Sequence, residues 1–173
     1  MIASPRTPVA CHGVTLVELL VTLVVLAVVA SIALPSFAGL LARNQVVAAG
    51  NELMATLQFA RHEAVRSNAS VQVCGTHDGH TCAAGYWQHW IVRRGNGAVL
   101  RAGSAPAAVQ VQTEGVFSAG VQFDAAGLLL GRGGQAQQGA LLLCNPRTPY
   151  RLALTVTGGV RLTLAAAAPG GCA

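Results

Sequence analysis

The stretch HGVTLVELLVTLVVLAVVASIALP, residues 12–35, is an apolar run of membrane length that carries a single carboxylate, Glu18. From Val14 to Leu34 there are 21 residues, which as a helix extend about 31 Å at 1.5 Å per residue, the thickness of a bilayer core. Ser31-Ile32-Ala33 loosely resembles a signal-peptidase site. A secretory signal, however, has an apolar region of only about 7–15 residues behind a basic start, and here the leader holds only Arg6. A plain membrane anchor explains the length but not Glu18, because a carboxylate inside a bilayer costs about 2.5–3.5 kcal/mol. The segment contains no cation, and the next one, Arg43, lies 25 residues further on. One nearby group qualifies as a partner: a new α-amino terminus made by cutting between Gly13 and Val14. Such an amine on a neighbouring copy, about 4 Å from Glu18, gains about 4 kcal/mol at an effective dielectric near 20, before desolvation is subtracted. The carboxylate then sets the register of like helices packed side by side.

Beyond this segment the chain has the composition of one folded domain. It has 173 residues, 53% apolar and 10% charged, with a formal charge of +5 in which every basic residue is arginine. Removing residues 1–13 takes away only Arg6, so the remainder stays basic. Val46, Gly50, Leu53, Leu57, Ala60 and Ala64 recur at steps of three and four, one face of an amphipathic helix, with Arg43, Glu52, His62 and Arg66 off that face. A single helix is expected over about 14–67, kinked near Pro35, its later half packed on a globular head.

After Asn68 the periodicity changes. Short β-prone runs at 71–74, 86–92, 109–111 and 121–123 are separated by glycine-rich turns, and Asn96-Gly97 signals a hairpin. In the last pair, Leu152, Leu154 and Val156 alternate with Arg151, Ala153 and Thr155, then a loop at Thr157-Gly158-Gly159 leads to Val160, Leu162 and Leu164. This three-residue loop sets Val156 opposite Val160 and places Arg151 and Arg161 on the outer face. The expected fold is α+β, a long N-terminal helix on an antiparallel sheet. Its parts are a leader at 1–13, a membrane and assembly helix at 14–35, an amphipathic continuation at 36–68 and a β-rich head at 69–173.

Gly13-Val14-Thr15-Leu16-Val17-Glu18 resembles the type III signal, G-F-T-L-x-E, of type IV pilins and type II secretion pseudopilins, with Val14 in place of phenylalanine. The resemblance implies that prepilin peptidase cuts after Gly13 and methylates Val14, that Glu18 guides subunit docking, and that Pro35 kinks the helix. The head resembles the GspH/FimT minor pilins. It does so through Ala60-Arg61-His62-Glu63-Ala64, Val73-Cys74, Tyr86-Trp87-Gln88-His89-Trp90, Phe123-Asp124-Ala125-Ala126-Gly127 and a terminal glycine turn before an arginine. This implies a non-enzymatic minor pilin held in the inner membrane with its head in the periplasm, then assembled with other pilins into a filament, where it assists pilus priming and DNA uptake. The alternative is the H-type pseudopilin of a type II secretion system, and a remote one is an anchored periplasmic enzyme. The implied partners are prepilin peptidase, other major and minor pilins or pseudopilins, inner-membrane lipid and DNA.

Five cysteines lie at 11, 74, 82, 144 and 172. The four behind the apolar run permit three connectivities and suit an oxidising compartment. Locality and the family resemblance favour Cys74–Cys82 and Cys144–Cys172, worth about 2.5 and 3–4 kcal/mol by loop entropy. Cys74, His77, His80 and Cys82 also carry zinc-ligand chemistry, but their spacing departs from the usual paired-ligand patterns, so neither metal nor other cofactor is expected. After the helix the only carboxylates are Asp78, Glu114 and Asp124, with no catalytic pair among them, and Asp78 beside His77 reads as a turn. The resemblance extends to members that bind DNA through a Gly-Arg-x-Arg turn. This chain has Gly158-Gly159-Val160-Arg161, keeping the second arginine. Arg161, with Arg151 and Arg147, is the candidate contact. Phosphate contacts carry no base information, so such binding is expected to be salt-sensitive and non-specific.

Overall fold

The computed structural model describes residues 15–130, 138–148, 150–157 and 161–167, with the backbone alone at 33–36, 116, 130, 157, 161, 162 and 164. The chain divides into two units, Met1–Phe37 and Ala38–Ala173. Helix α1 (Leu16–Ser67) contributes to both and stays helical through Pro35. In the first unit every described side chain is exposed, Leu16 by 76% and Ile32 by 71%. Among the described residues no single helix is long and apolar enough to cross a membrane, whereas Leu16–Ile32 taken together with Phe37–Ser67 meets that measure by length and composition.

In the second unit the three-and-four spacing becomes a buried stripe: Val46, Ala49, Leu53, Leu57, Ala60 and Ala64 are all at most 2% exposed. Complete burial of a leucine side chain stabilises by about 1.5–3 kcal/mol, which fixes the face that α1 presents to the head. The helix stops at Asn68, whose φ of 49° is left-handed. Ala69 N–H reaches the Ala64 carbonyl and Asn68 N–H that of Val65, so a Schellman cap satisfies carbonyls that the helix end would otherwise leave open.

Nine strands follow among the described residues: β1 (Val71–Gly75), β2 (His89–Arg94), β3 (Val99–Ser104), β4 (Gln110–Gly115), β5 (Val121–Phe123), β6 (Leu129–Leu130), β7 (Gly139–Cys144), β8 (Arg151–Thr157) and β9 (Arg161–Ala166). They form two antiparallel sheets, in the orders β3-β2-β1-β5-β6 and β4-β7-β8-β9, where the sequence pattern suggested one. The division falls at a 3-10 turn, Val116–Ser118, flanked by Gly115 and Gly120 at φ 62° and 89°. There Phe117 is fully buried edge-on to Trp87, with ring centroids 5.7 Å apart. One core spans the α1 stripe and the inner faces of both sheets.

Two expectations shift. Tyr86–Gln88 is not part of a strand, since β2 begins at His89. Trp87 instead donates its indole N–H to the Phe117 carbonyl at 2.7 Å, and Gln88 donates to those of Ala105 and Pro106; these long-range bonds hold the segment off the ladder. In the final hairpin Val156 pairs with Leu162 and Thr157 with Arg161, so β8 runs on through Thr157; residues 158–160 lie outside the described residues. The slip is by two residues, an even number, so the face assignment survives: Leu152, Leu154 and Val156 are buried, and Arg151, Ala153 and Thr155 are half-buried. The Asn96-Gly97 hairpin forms as expected, with Gly97 at φ 90° and Arg94 N–H bonded to the Ala98 carbonyl.

Candidate functional site

The N-terminal segment solves its polar groups locally, with one exception. Thr15 caps the helix: its hydroxyl accepts the Glu18 N–H at 3.2 Å and its carbonyl accepts that of Leu19 at 3.1 Å, two bonds that quiet the open amides of a helix start. The hydroxyls of Thr22 and Ser31 donate back to the Leu19 and Val28 carbonyls at 2.8 and 2.7 Å, leaving neither donor unmet in an apolar surrounding. Glu18 stands at the third helical position, where the helix dipole favours an anion by about 0.3–1 kcal/mol. That is less than the 2.5–3.5 kcal/mol or so that insertion costs. Among the described residues the Glu18 carboxylate has no cationic partner. Gly13 and Val14 lie outside the described residues.

The head is tied to α1 by a polar stripe that the sequence did not disclose. Glu52 bonds Arg101 at 3.0 Å, Thr56 accepts the Trp90 indole N–H at 3.3 Å, and Glu63 bonds Arg94 at 2.5 Å and Arg66 at 2.9 Å. Residues 52, 56 and 63 fall on one side of a 3.6-residue helix. Their partners Arg101, Trp90 and Arg94 share the inner face of the first sheet through the β1–β2–β3 register. The Arg94 guanidinium, and after it that of Arg66, holds the buried Glu63 carboxyl below its ordinary range. At the other end of the head, Asn145 donates to Gln45 at 3.1 Å and the Arg43 guanidinium lies 4.6 Å over the Tyr150 ring.

Cys74 and Cys82 form a disulfide with Cα atoms 5.5 Å apart, so their thiols are not available to zinc. Asp78 builds the turn between them. Its carboxylate accepts from the Thr81 hydroxyl, from the amides of Thr81 and His80 and from the Thr76 hydroxyl, all within 3.0 Å. These bonds, led by the Thr81 hydroxyl, push its pKa far below the usual carboxylate value. The His77 ring stacks on Tyr86 at 3.9 Å rather than serving Asp78 as a dyad partner. Cys144 is disulfide-bonded; its expected partner Cys172 lies outside the described residues. Among the described residues no group of three or more histidine, cysteine or acidic side chains is arranged to hold a metal.

The three candidate DNA-contact arginines do not come together as one cluster. Arg151 starts β8 opposite Cys144, and Arg161 starts β9 opposite Thr157. The six residue steps from 151 to 157 put the two positions about 20 Å apart along the strand, at 3.3 Å per residue. Arg147 is exposed in the loop before β8, where its N–H bonds the Asn145 side chain at 3.0 Å.

Residues 49–159 match the family model described as Type II transport protein GspH, and residues 9–34 match the prokaryotic N-terminal methylation motif. Among curated proteins none matches the sequence. Two crystal structures of the type IV minor pilin FimU of Pseudomonas aeruginosa PAO1 are similar in fold. One has 20% identity and a TM-score of 0.54 over 70% of this chain and 97% of FimU, the other 21% and 0.55 over 73% and 96%. A GspH head behind an N-terminal methylation motif, on a long helix packed against antiparallel sheets, identifies the chain as a member of the type IV pilin-like GspH/FimT family.

Proposed function

We propose that this chain is a minor pilin of a type IV pilus. The observation that carries the reading is the joining, in one chain, of the methylation motif at 9–34 to a GspH head; the FimU-like fold supports a pilus over other filaments. Prepilin peptidase cuts between Gly13 and Val14 and methylates the Val14 amine. The subunit waits in the inner membrane through the helix after Val14, with its head in the periplasm, where the Cys74–Cys82 disulfide is at home. Glu18, without a cationic partner among the described residues, takes the amine of a neighbouring pilin as its partner, and the subunit helps to prime the filament. It performs no catalysis.

The name of the matched family motivates a second reading, the H-type pseudopilin of a type II secretion system. Deleting the gene separates the two. The pilus reading expects the chain in sheared surface filaments and a loss of piliation with exoprotein secretion intact; blocked secretion with normal piliation overturns it. For DNA uptake, Arg147 and Arg151 at one end of the second sheet and Arg161 at the other offer separate phosphate contacts. Duplex affinity should therefore be weak and fall steeply with salt, and an unchanged affinity in Arg151→Ala/Arg161→Ala removes these residues from that role.

A further inference from the structure

On the outer face of the five-stranded sheet, the cross-strand register sets Arg93 of β2 beside Gln72 of β1, and Gln72 beside Gln122 of β5. At about 4.8 Å between strands the row is about 10 Å long. With Ser70, Arg94 and Gly95 these residues line an open cavity of about 340 Å³. Arg94 is committed to Glu63. The Arg93 guanidinium, the two carboxamides and the Ser70 hydroxyl have no hydrogen-bond or ion-pair partner among the described residues. The neighbouring strand β3 is irregular beside it: Val92 pairs with Arg101 but Arg93 with Val99, which leaves Leu100 as the extra residue of a bulge that increases the local twist next to Arg93.

The carboxylates of the second unit supply the complement. Glu52, Glu63, Asp78 and Asp124 are each held, by Arg101, by Arg94 and Arg66, by the Thr81 turn and by the amides of Ala126 and Leu128. Glu114 is exposed and has no such partner among the described residues. It sits on β4, the edge strand of the second sheet, which among the described residues pairs only with β7. An edge strand keeps one row of backbone N–H and C=O groups unpaired.

We propose that the Arg93 cavity of one copy receives Glu114 and the adjoining β4 backbone of a second copy of this chain. Guanidinium and carboxylate meet as a two-pronged, charge-assisted pair, and the carboxamides of Gln72 and Gln122, each both donor and acceptor, take the peptide groups beside it. The two patches differ, so the contact is head-to-tail and passes from copy to copy. A nucleic-acid strand would find one uncommitted cation and no aromatic ring among the lining residues; a free phosphate would leave the carboxamide row idle. The contact goes beyond the filament reading, since it requires neither leader removal nor Glu18.

The sequence contains no lysine, so Arg93→Lys keeps the charge and introduces the only side-chain amine. Full-length Arg93→Lys protein in detergent micelles, an equal mixture of ¹⁵N-labelled and unlabelled chains, is treated with a carbodiimide, which condenses a carboxylate and an amine in direct contact into an amide. Mass spectrometry should find residue 93 joined to Glu114 in mixed heavy–light pairs, and the link should be lost in Arg93→Lys/Glu114→Gln. Gln122→Lys, which leaves Arg93 in place, should likewise join residue 122 to Glu114. The proposal is overturned when neither lysine gives a mixed pair, when the pair persists without Glu114, or when the lysines join a different carboxylate of the second copy.

Discussion

Replacing Thr56 by valine keeps the shape of the side chain and deletes the one acceptor for the Trp90 indole N–H, which lies 3.3 Å from the threonine oxygen. Both residues are fully buried. The indole is also pressed against Gly103, where an added Cβ would come within 2.5–2.9 Å of its ring atoms, so it has no space in which to turn towards another acceptor or a water. A buried donor left without a partner costs about 1–3 kcal/mol. At about 2 kcal/mol, and a urea dependence of about 2 kcal/mol per molar, the unfolding midpoint should fall by about 1 M. The chain has two tryptophans, Trp87 and Trp90, both in the head, so their emission during urea titration of the full chain in detergent reports the head alone. Removing both partners tests the cause: Thr56→Val with Trp90→Phe should be less destabilised than the sum of the single changes by about 1 kcal/mol or more, inside the range of coupling for residues in contact. An unchanged midpoint in Thr56→Val, or strict additivity in the double variant, refutes the proposed tie between α1 and β2.

Other perturbations test neighbouring parts of the fold. Glu63 has its folded pKa lowered by Arg94 and Arg66, so its contribution is present above its unfolded pKa and is lost as pH falls through the folded one; Glu63→Gln should flatten the acid limb of a stability–pH profile. Serine at both Cys74 and Cys82 removes the cross-link and should cost about 2.5 kcal/mol, read as a lower midpoint than that of the oxidised wild type and matched by wild type under reductant. Gly120 holds φ at 89°, and a Cβ there would lie 2.8 Å from that of Cys74 and 2.9 Å from the Val73 carbonyl oxygen. Gly120→Ala should therefore destabilise by more than the 1–2 kcal/mol or so of the left-handed backbone alone; a midpoint equal to wild type contradicts that geometry.

Periodic features were readable in the sequence and long-range ones were not. The α1 stripe from Val46 to Ala64 announces itself because a helix repeats every 3.6 residues. Asn96-Gly97 and the alternation in β8 do so because turn chemistry and pleat are local. Strand β7 reads Gly-Ala-Leu-Leu-Leu-Cys, a run without alternation, since Leu142 on its outward side is also half-buried; period two is absent when both faces are covered. Local composition places Trp87 in a strand, whereas its partner Phe117 lies 30 residues away. The Glu52, Thr56 and Glu63 stripe depends on bonds across 49, 34 and 31 residues, and the Arg93 row requires the registers of three strands. The N-terminal segment shows the reverse balance: Gly13, Val14 and Glu18 are proposed from motif and cost alone, and the structure adds the Thr15 cap and the absence of a cationic partner for Glu18 among the described residues.

The pairing of Glu18 with a neighbour's new amine is tested most directly at the N-terminus of the native polypeptide. Intact-mass and N-terminal peptide spectrometry of the chain recovered from its own membranes should show it beginning at Val14 and one methyl group heavier than the bare sequence. A native chain that still carries residues 1–13, or that begins at another residue, supplies no such amine and contradicts the assembly role of Glu18.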